Sequence, residues 1–159
     1  MDRRYLGIYL NDHLAGAIVG LQVARRTLER NPEGALAEFL RVFAREIEED
    51  REALARLMES LMVTTNPVKG ATAWLLEKLG RFKFNGHVVG YSPLSRLEEL
   101  EFLSLAVEGK RLMWRLLETL AEADDRLRGF DFPTLIERAV AQREELERHR
   151  LAAAAATGE

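Results

Sequence analysis

The chain contains no cysteine among its 159 residues. That excludes disulfides, thiolate metal ligands and a cysteine nucleophile. Lysine is also scarce: only 4 of the 23 basic residues are lysine and 19 are arginine. Arginine codons are GC-rich, so the bias reports genome composition rather than arginine chemistry. No apolar run approaches the roughly 20 residues needed to span a bilayer. The first residues, "MDRRYLGIYLND", lack an apolar segment of signal-peptide length followed by a small-residue cleavage site. A cytoplasmic location with no membrane partner is the expectation. A net charge of −3 supplies no field that would favour nucleic acid. No glycine-rich phosphate loop is in place either, because "GRFKFNG" and "GHVVGY" do not lead into a helix as such a loop must. No Ser–His–Asp set converges by its spacing.

What is present fits one folded, helix-rich domain over residues 1–159, with 47% hydrophobic and 31% charged residues. All four prolines stand where a helix should begin, in "NPEG", "NPVK", "SPLS" and "DFPT". Asn31, Asn66, Ser92 and Asp131 then serve as caps that accept the orphan N–H groups of the first turn, where proline has no N–H to lose. Gly80 and Gly129 stand where helices should end. The spacing predicts helices over roughly 3–29, 32–63, 67–79, 93–127 and 132–152, with a fraying tail at 153–159. Residues 81–91, "RFKFNGHVVGY", read as an extended connector or, through Asn85-Gly86, as a short hairpin.

The connection lengths constrain topology. The first two long helices are separated by about two residues and the last two by about four. Each pair must therefore be antiparallel. Nearly 30 residues lie between the pairs, enough to return along the bundle. The expectation is an all-α, up-down-down-up four-helix bundle with one long crossover carrying the short helix.

Polar residues interrupt the apolar stripes. On the second helix Leu36, Leu40, Phe43, Ile47, Asp50, Leu54, Leu57 and Leu61 follow at alternating steps of four and three, and only Asp50 is charged. Glu46 lies one turn before it. On the first helix His13 flanks a seam of Leu10, Leu14, Ala17, Leu21, Ala24 and Leu28, while Gly16 and Gly20 leave room for a close neighbour. A second face, with Tyr5, Ile8, Val19 and Val23, implies burial on two sides. On the third long helix a stripe of Leu94, Leu97, Glu101, Leu105, Glu108 and Leu112 carries two acids. On the last, Leu135, Ala139, Gln142, Leu146 and His149 carry two polar members, His149 being placed in the last turn. With a rise of about 1.5 Å per residue, Asp50, Glu108, Gln142 and His13 fall within about one turn of a common level. Glu46 and Glu101 lie a little above. Buried carboxylates need partners or a cation.

Carboxylates from the middle helices meeting a polar residue of the last helix resemble the di-iron carboxylate site of ferritin-like proteins. The wording of "YLNDHLAG", "EIEEDREAL" and "YSPLSRLEELE" resembles an uncharacterised, actinobacterial group of ferritin-like proteins. The resemblance implies Asp50, Glu108, Glu46, His13, Gln142 and Glu101 as metal ligands, with Glu108 and Gln142 matching the ferritin pair on the third and fourth helices. The Glu-x-x-His motif is missing; Glu46-x-x-Glu49 stands in its place. The layer is then a metal centre for Fe or Mn, a buried polar network in which Arg111, Arg115 or Tyr9 reaches the acids, or a product of misjudged helix register that leaves the acids in solvent. The leading expectation is a non-catalytic ferritin-like bundle with a degenerate or absent metal site, no cofactor, and self-association into a homodimer left open. One alternative is an Fe or Mn protein with oxygen or peroxide chemistry. The other is a carrier of a small apolar ligand lined by Trp74, Phe82, Phe84, Tyr91 and Trp114.

Overall fold

A computed structural model describes residues 2–66 and 91–157. The short helix expected over 67–79 and all of the 81–91 segment except Tyr91 lie outside the described residues. So do Trp74, Phe82, Phe84 and His87. Among the described residues there are four α-helices, one 3-10 turn and no strand. The helices are α1 (Arg3–Arg30), α2 (Gly34–Ser60), α3 (Pro93–Ala121) and α4 (Phe132–Ala155), and the 3-10 turn is Asp125–Leu127. No helix among them is long and apolar enough to cross a membrane.

Two of the expected caps form. The Ser92 hydroxyl accepts from Ser95 N–H at 3.2 Å, with Pro93 in the first turn of α3. The Asp131 carboxylate accepts from Thr134 N–H at 3.2 Å at the start of α4. Asn31 does something else. It closes α1, its Nδ2 donating to the Thr27 carbonyl and the Tyr91 hydroxyl, each at 2.7 Å. With Asn31 occupied, α2 starts two residues later than predicted, after Glu33 and at Gly34, whose φ of +79° suits glycine. The third long helix ends at Ala121 rather than near 127. Asp124 caps a separate 3-10 turn, accepting from Arg126 N–H at 3.1 Å, and that turn buries Leu127. The last helix outruns its predicted end because Ala153 is buried against the bundle. His149 is thus not in the last turn and stacks on Phe39, ring centroids 5.1 Å apart.

The core falls into two apolar halves. One gathers Leu6, Leu10 and Leu14 of α1, Leu54, Leu57 and Met58 of α2, Met113, Trp114 and Leu117 of α3, and Phe132 of α4. The other gathers Val19, Val23 and Ala24 of α1, Leu40, Phe43 and Ile47 of α2, Leu100, Leu103 and Val107 of α3, and Ala139, Leu146 and Ala153 of α4. The first half joins the beginnings of α1 and α4 to the finishes of α2 and α3; the second joins the opposite ends. Hence α2 and α3 run in one direction, with α1 and α4 against them.

The α2 seam packs as its spacing predicts, from Leu40 through Asp50 to Leu61. On α1, Val19 and Val23 are buried but Tyr5 and Ile8 are exposed, and a Cβ at Gly16 or Gly20 would meet nothing within 4 Å. Neither glycine is needed for close packing.

The α3 stripe requires correction. Leu94, Leu105 and Leu112 face outward, Leu105 being 75% exposed, and Glu101 is exposed with them. The inward line is Leu100, Leu103, Val107, Lys110, Trp114 and Leu117, two-fifths of a turn further round. Both lines have helical spacing, and leucine content alone favoured the wrong one. Denaturant unfolding should separate them. Leu103→Ala is expected to cost about 2–5 kcal/mol, whereas Leu105→Ala should stay within about 0.5 kcal/mol of the parent.

Candidate functional site

Asp50 sits on the α2 seam between Ile47 and Leu54 and is 3% exposed. The inward line of α3 brings Lys110 opposite it. Lys110 Nζ donates to Asp50 Oδ2 at 2.5 Å and to Gln142 Oε1 of α4 at 2.6 Å. Gln142 Nε2 in turn donates to Glu46 Oε2 at 2.8 Å. With Lys110 a donor and Glu46 an acceptor, the amide has only one orientation that satisfies both sides. Arg138 Nη1, one turn before Gln142, donates to the other Asp50 oxygen at 3.0 Å and lies 3.0 Å from Glu49 Oε2. Two cations therefore share one buried carboxylate, one on each oxygen. Burial pushes the Lys110 ammonium below its ordinary value, against the pull of Asp50. Its side chain keeps 14% exposure.

The structure brings together Asp50, Glu46 and Gln142 and leaves the other three predicted residues apart. Glu108 is two residues from the inward position. It receives Arg111 at 2.8 Å and Arg143 at 2.8 Å on the outer face, and the Arg111 hydrogen bond holds its carboxyl below the usual range. Glu101 receives Arg150 at 3.2 Å and is half exposed. His13 reaches the same level but meets Gly109, where a Cβ would lie 3.9 Å from its Cε1, and Tyr9, edge-to-face at 4.5 Å. It makes no contact with the carboxylates.

The cations differ from those expected. Arg111 is bound to Glu108, Arg115 is exposed and Tyr9 packs on His13; Lys110 and Arg138 reach Asp50 instead. A signal for Lys110 was present. It is the single lysine outside residues 67–90 in an arginine-rich chain, and it falls in a 3-4 series of apolar residues just as Asp50 does.

A di-metal centre of the kind the resemblance implies does not fit these residues. Both Asp50 oxygens accept from cations, and Glu101 and Glu108 are turned outward. Among the described residues, no three His, Asp or Glu side chains group as a metal site would need.

A second buried carboxylate, Glu99, went unnoticed because it looked like one of many acids in "RLEELE". At the other end of the bundle it accepts from Thr27 Oγ1 at 2.9 Å, Tyr91 hydroxyl at 3.1 Å and Arg26 Nε at 3.1 Å, with Arg30 at 3.4 Å. Arg30 also lies over the Tyr91 ring at 5.2 Å. Every donor except Tyr91 belongs to the last two turns of α1, so the cluster ties that end of α1 to the start of α3.

Removing one partner of a buried ion pair costs more than removing both. Lys110→Met should destabilise by about 3 kcal/mol, the low end for such a pair because Arg138 still holds Asp50. The double variant Lys110→Met/Asp50→Leu should cost clearly less than the sum of its singles in urea unfolding; additive values would remove the coupling. Acid should also weaken the fold through two imidazoles. Burial lowers His13, with Asp12 opposing, and lowers His149, where Arg148 adds to it. Between those depressed values and the ordinary 6.5, the unfolded chain binds more protons than the folded one. Stability therefore falls as pH drops through that window, and these two groups add no further loss below it. In urea midpoints between about pH 7.5 and 5.5, His13→Gln/His149→Gln should flatten the slope; an unchanged slope would assign it to the carboxylates.

No protein-family model, no curated protein and no solved structure matches this chain.

Proposed function

We propose that the chain is a ferritin-like bundle of up-down-down-up topology whose mid-bundle layer has become an internal ion-pair network. It acts as a non-catalytic helical scaffold without a resident metal. The observation that carries this reading is the double pairing of Asp50, one oxygen on the Lys110 ammonium and the other on the Arg138 guanidinium. Each Asp50 oxygen already faces a positive group, so an approaching metal ion meets like charge on both sides of the carboxylate. The direction of the helices, with α2 and α3 parallel, supports the ferritin-like frame.

Elemental analysis of protein purified without chelators tests it. Iron, manganese and zinc are each expected below about 0.1 equivalent per chain, since a bound ion would need deprotonated ligands free to coordinate it. Stoichiometric iron or manganese that disappears in Asp50→Ala would overturn the proposal.

A further inference from the structure

Two oxygens from different helices converge on the Lys110 ammonium. Asp50 Oδ2 and Gln142 Oε1 accept from its ammonium at 2.5 and 2.6 Å. Glu46 acts on its charge and also orients the Gln142 amide so that the oxygen faces Lys110. The donors come from two helices, α2 and α4, and the cation reaches them from a third, α3.

Charge balance sharpens the point. The groups joined at 3.0 Å or closer are three acids (Asp50, Glu46 and Glu49) and two bases (Lys110 and Arg138), a net of −1, with Arg45 4.0 Å from Glu49 at the exposed edge. Without the lysine the same count is −2, the charge a divalent ion neutralises. Arg138 does not compete for the same oxygen, because it takes Oδ1 of Asp50 and leans on Glu49.

The position on α3 matters as well. Lys110 lies between Val107 and Met113 and Trp114 on α3, all buried, so its amine is presented from the inward face of that helix. A tethered ammonium is present at an effective concentration on the order of millimolar. A free divalent ion must displace it and also pay the desolvation of its own shell.

We propose that Lys110 is the layer's built-in cation. Its amine fills a latent divalent-cation site made by Asp50 Oδ2 and Gln142 Oε1, with the Glu46 carboxylate holding the Gln142 amide behind them, and its covalent tether keeps ions out. This rests on the scaffold reading above. The oxygen donors favour hard ions of the Mg(II) and Mn(II) class.

Manganese(II) is the probe, followed by the loss of its free-ion EPR signal and by thermal unfolding. Lys110→Ala and Lys110→Glu are each expected to bind one ion per chain and to show a higher Tm with manganese than without. Wild type should bind at least roughly tenfold more weakly than either, and Lys110→Ala/Asp50→Asn should lose roughly tenfold or more relative to Lys110→Ala. The proposal is overturned if both single variants are helical by circular dichroism yet bind no manganese at about 1 mM. It is equally overturned if both remain unfolded at that concentration, because an ion that binds only the folded state would restore it. Stoichiometric metal in wild type as purified is a separate result, and it removes the scaffold reading rather than testing the vacated site.

Discussion

The Lys110–Asp50 pair is the constraint on which the alignment of the bundle depends. Apolar packing on either side of it is non-directional and would tolerate a helix sliding by one turn. The ion pair would not. Moving α3 by one turn displaces the ammonium about 5.4 Å along the bundle and leaves a carboxylate and an amine buried without each other, at several kcal/mol. Gln142 and Arg138 extend the same condition to α4, since both address the layer from one turn of that helix. The pair adds little net stability compared with two leucines of similar volume. What it adds is register among three helices at once.

The bundle carries a second polar fastening away from this layer. Glu99 collects hydrogen bonds from Thr27, Arg26 and Tyr91, and Asn31 joins through the Tyr91 hydroxyl. Burial, opposed by Asn31, raises the Tyr91 hydroxyl above its usual range. Two charged groups buried on α3, Lys110 and Glu99, thus face opposite partners: α2 and α4 for one, α1 for the other. Together they fix where α3 sits along all three neighbours, while the apolar halves of the core supply most of the burial.

Much of this could be read from residue spacing. The α2 seam was unambiguous, because seven of its eight members are apolar and no rival stripe exists on that helix. The level shared by Asp50, Gln142 and the middle of α3 followed from helix rise and connection length. The error on α3 has a plain cause. That helix carries leucine on two faces, Leu94, Leu105 and Leu112 on one and Leu100, Leu103 and Leu117 on the other. Choosing the wrong face put Glu101 and Glu108 inside and left Lys110 outside, a rotation of less than half a turn. The cap at Asn31 failed for a different reason. Its side chain is claimed by Tyr91, 60 residues away, and no local rule sees that partner.

By itself, then, the sequence determined the helical class, the approximate extents of the four described helices, two of their caps, and the fact that Asp50 needs a partner in the core. Those follow from periodicity, turn chemistry and the cost of burying a charge, all of which are local or additive. Only the tertiary structure decided which face of α3 turns inward, and with it the identity of that partner. Stripe choice on a helix with two apolar faces depends on the surfaces it meets, and a buried carboxylate is satisfied equally well in principle by an arginine, a lysine or a metal ion. Here the neighbours of α3 select the face that carries Lys110, and an ammonium occupies the place where the resemblance pointed to a metal.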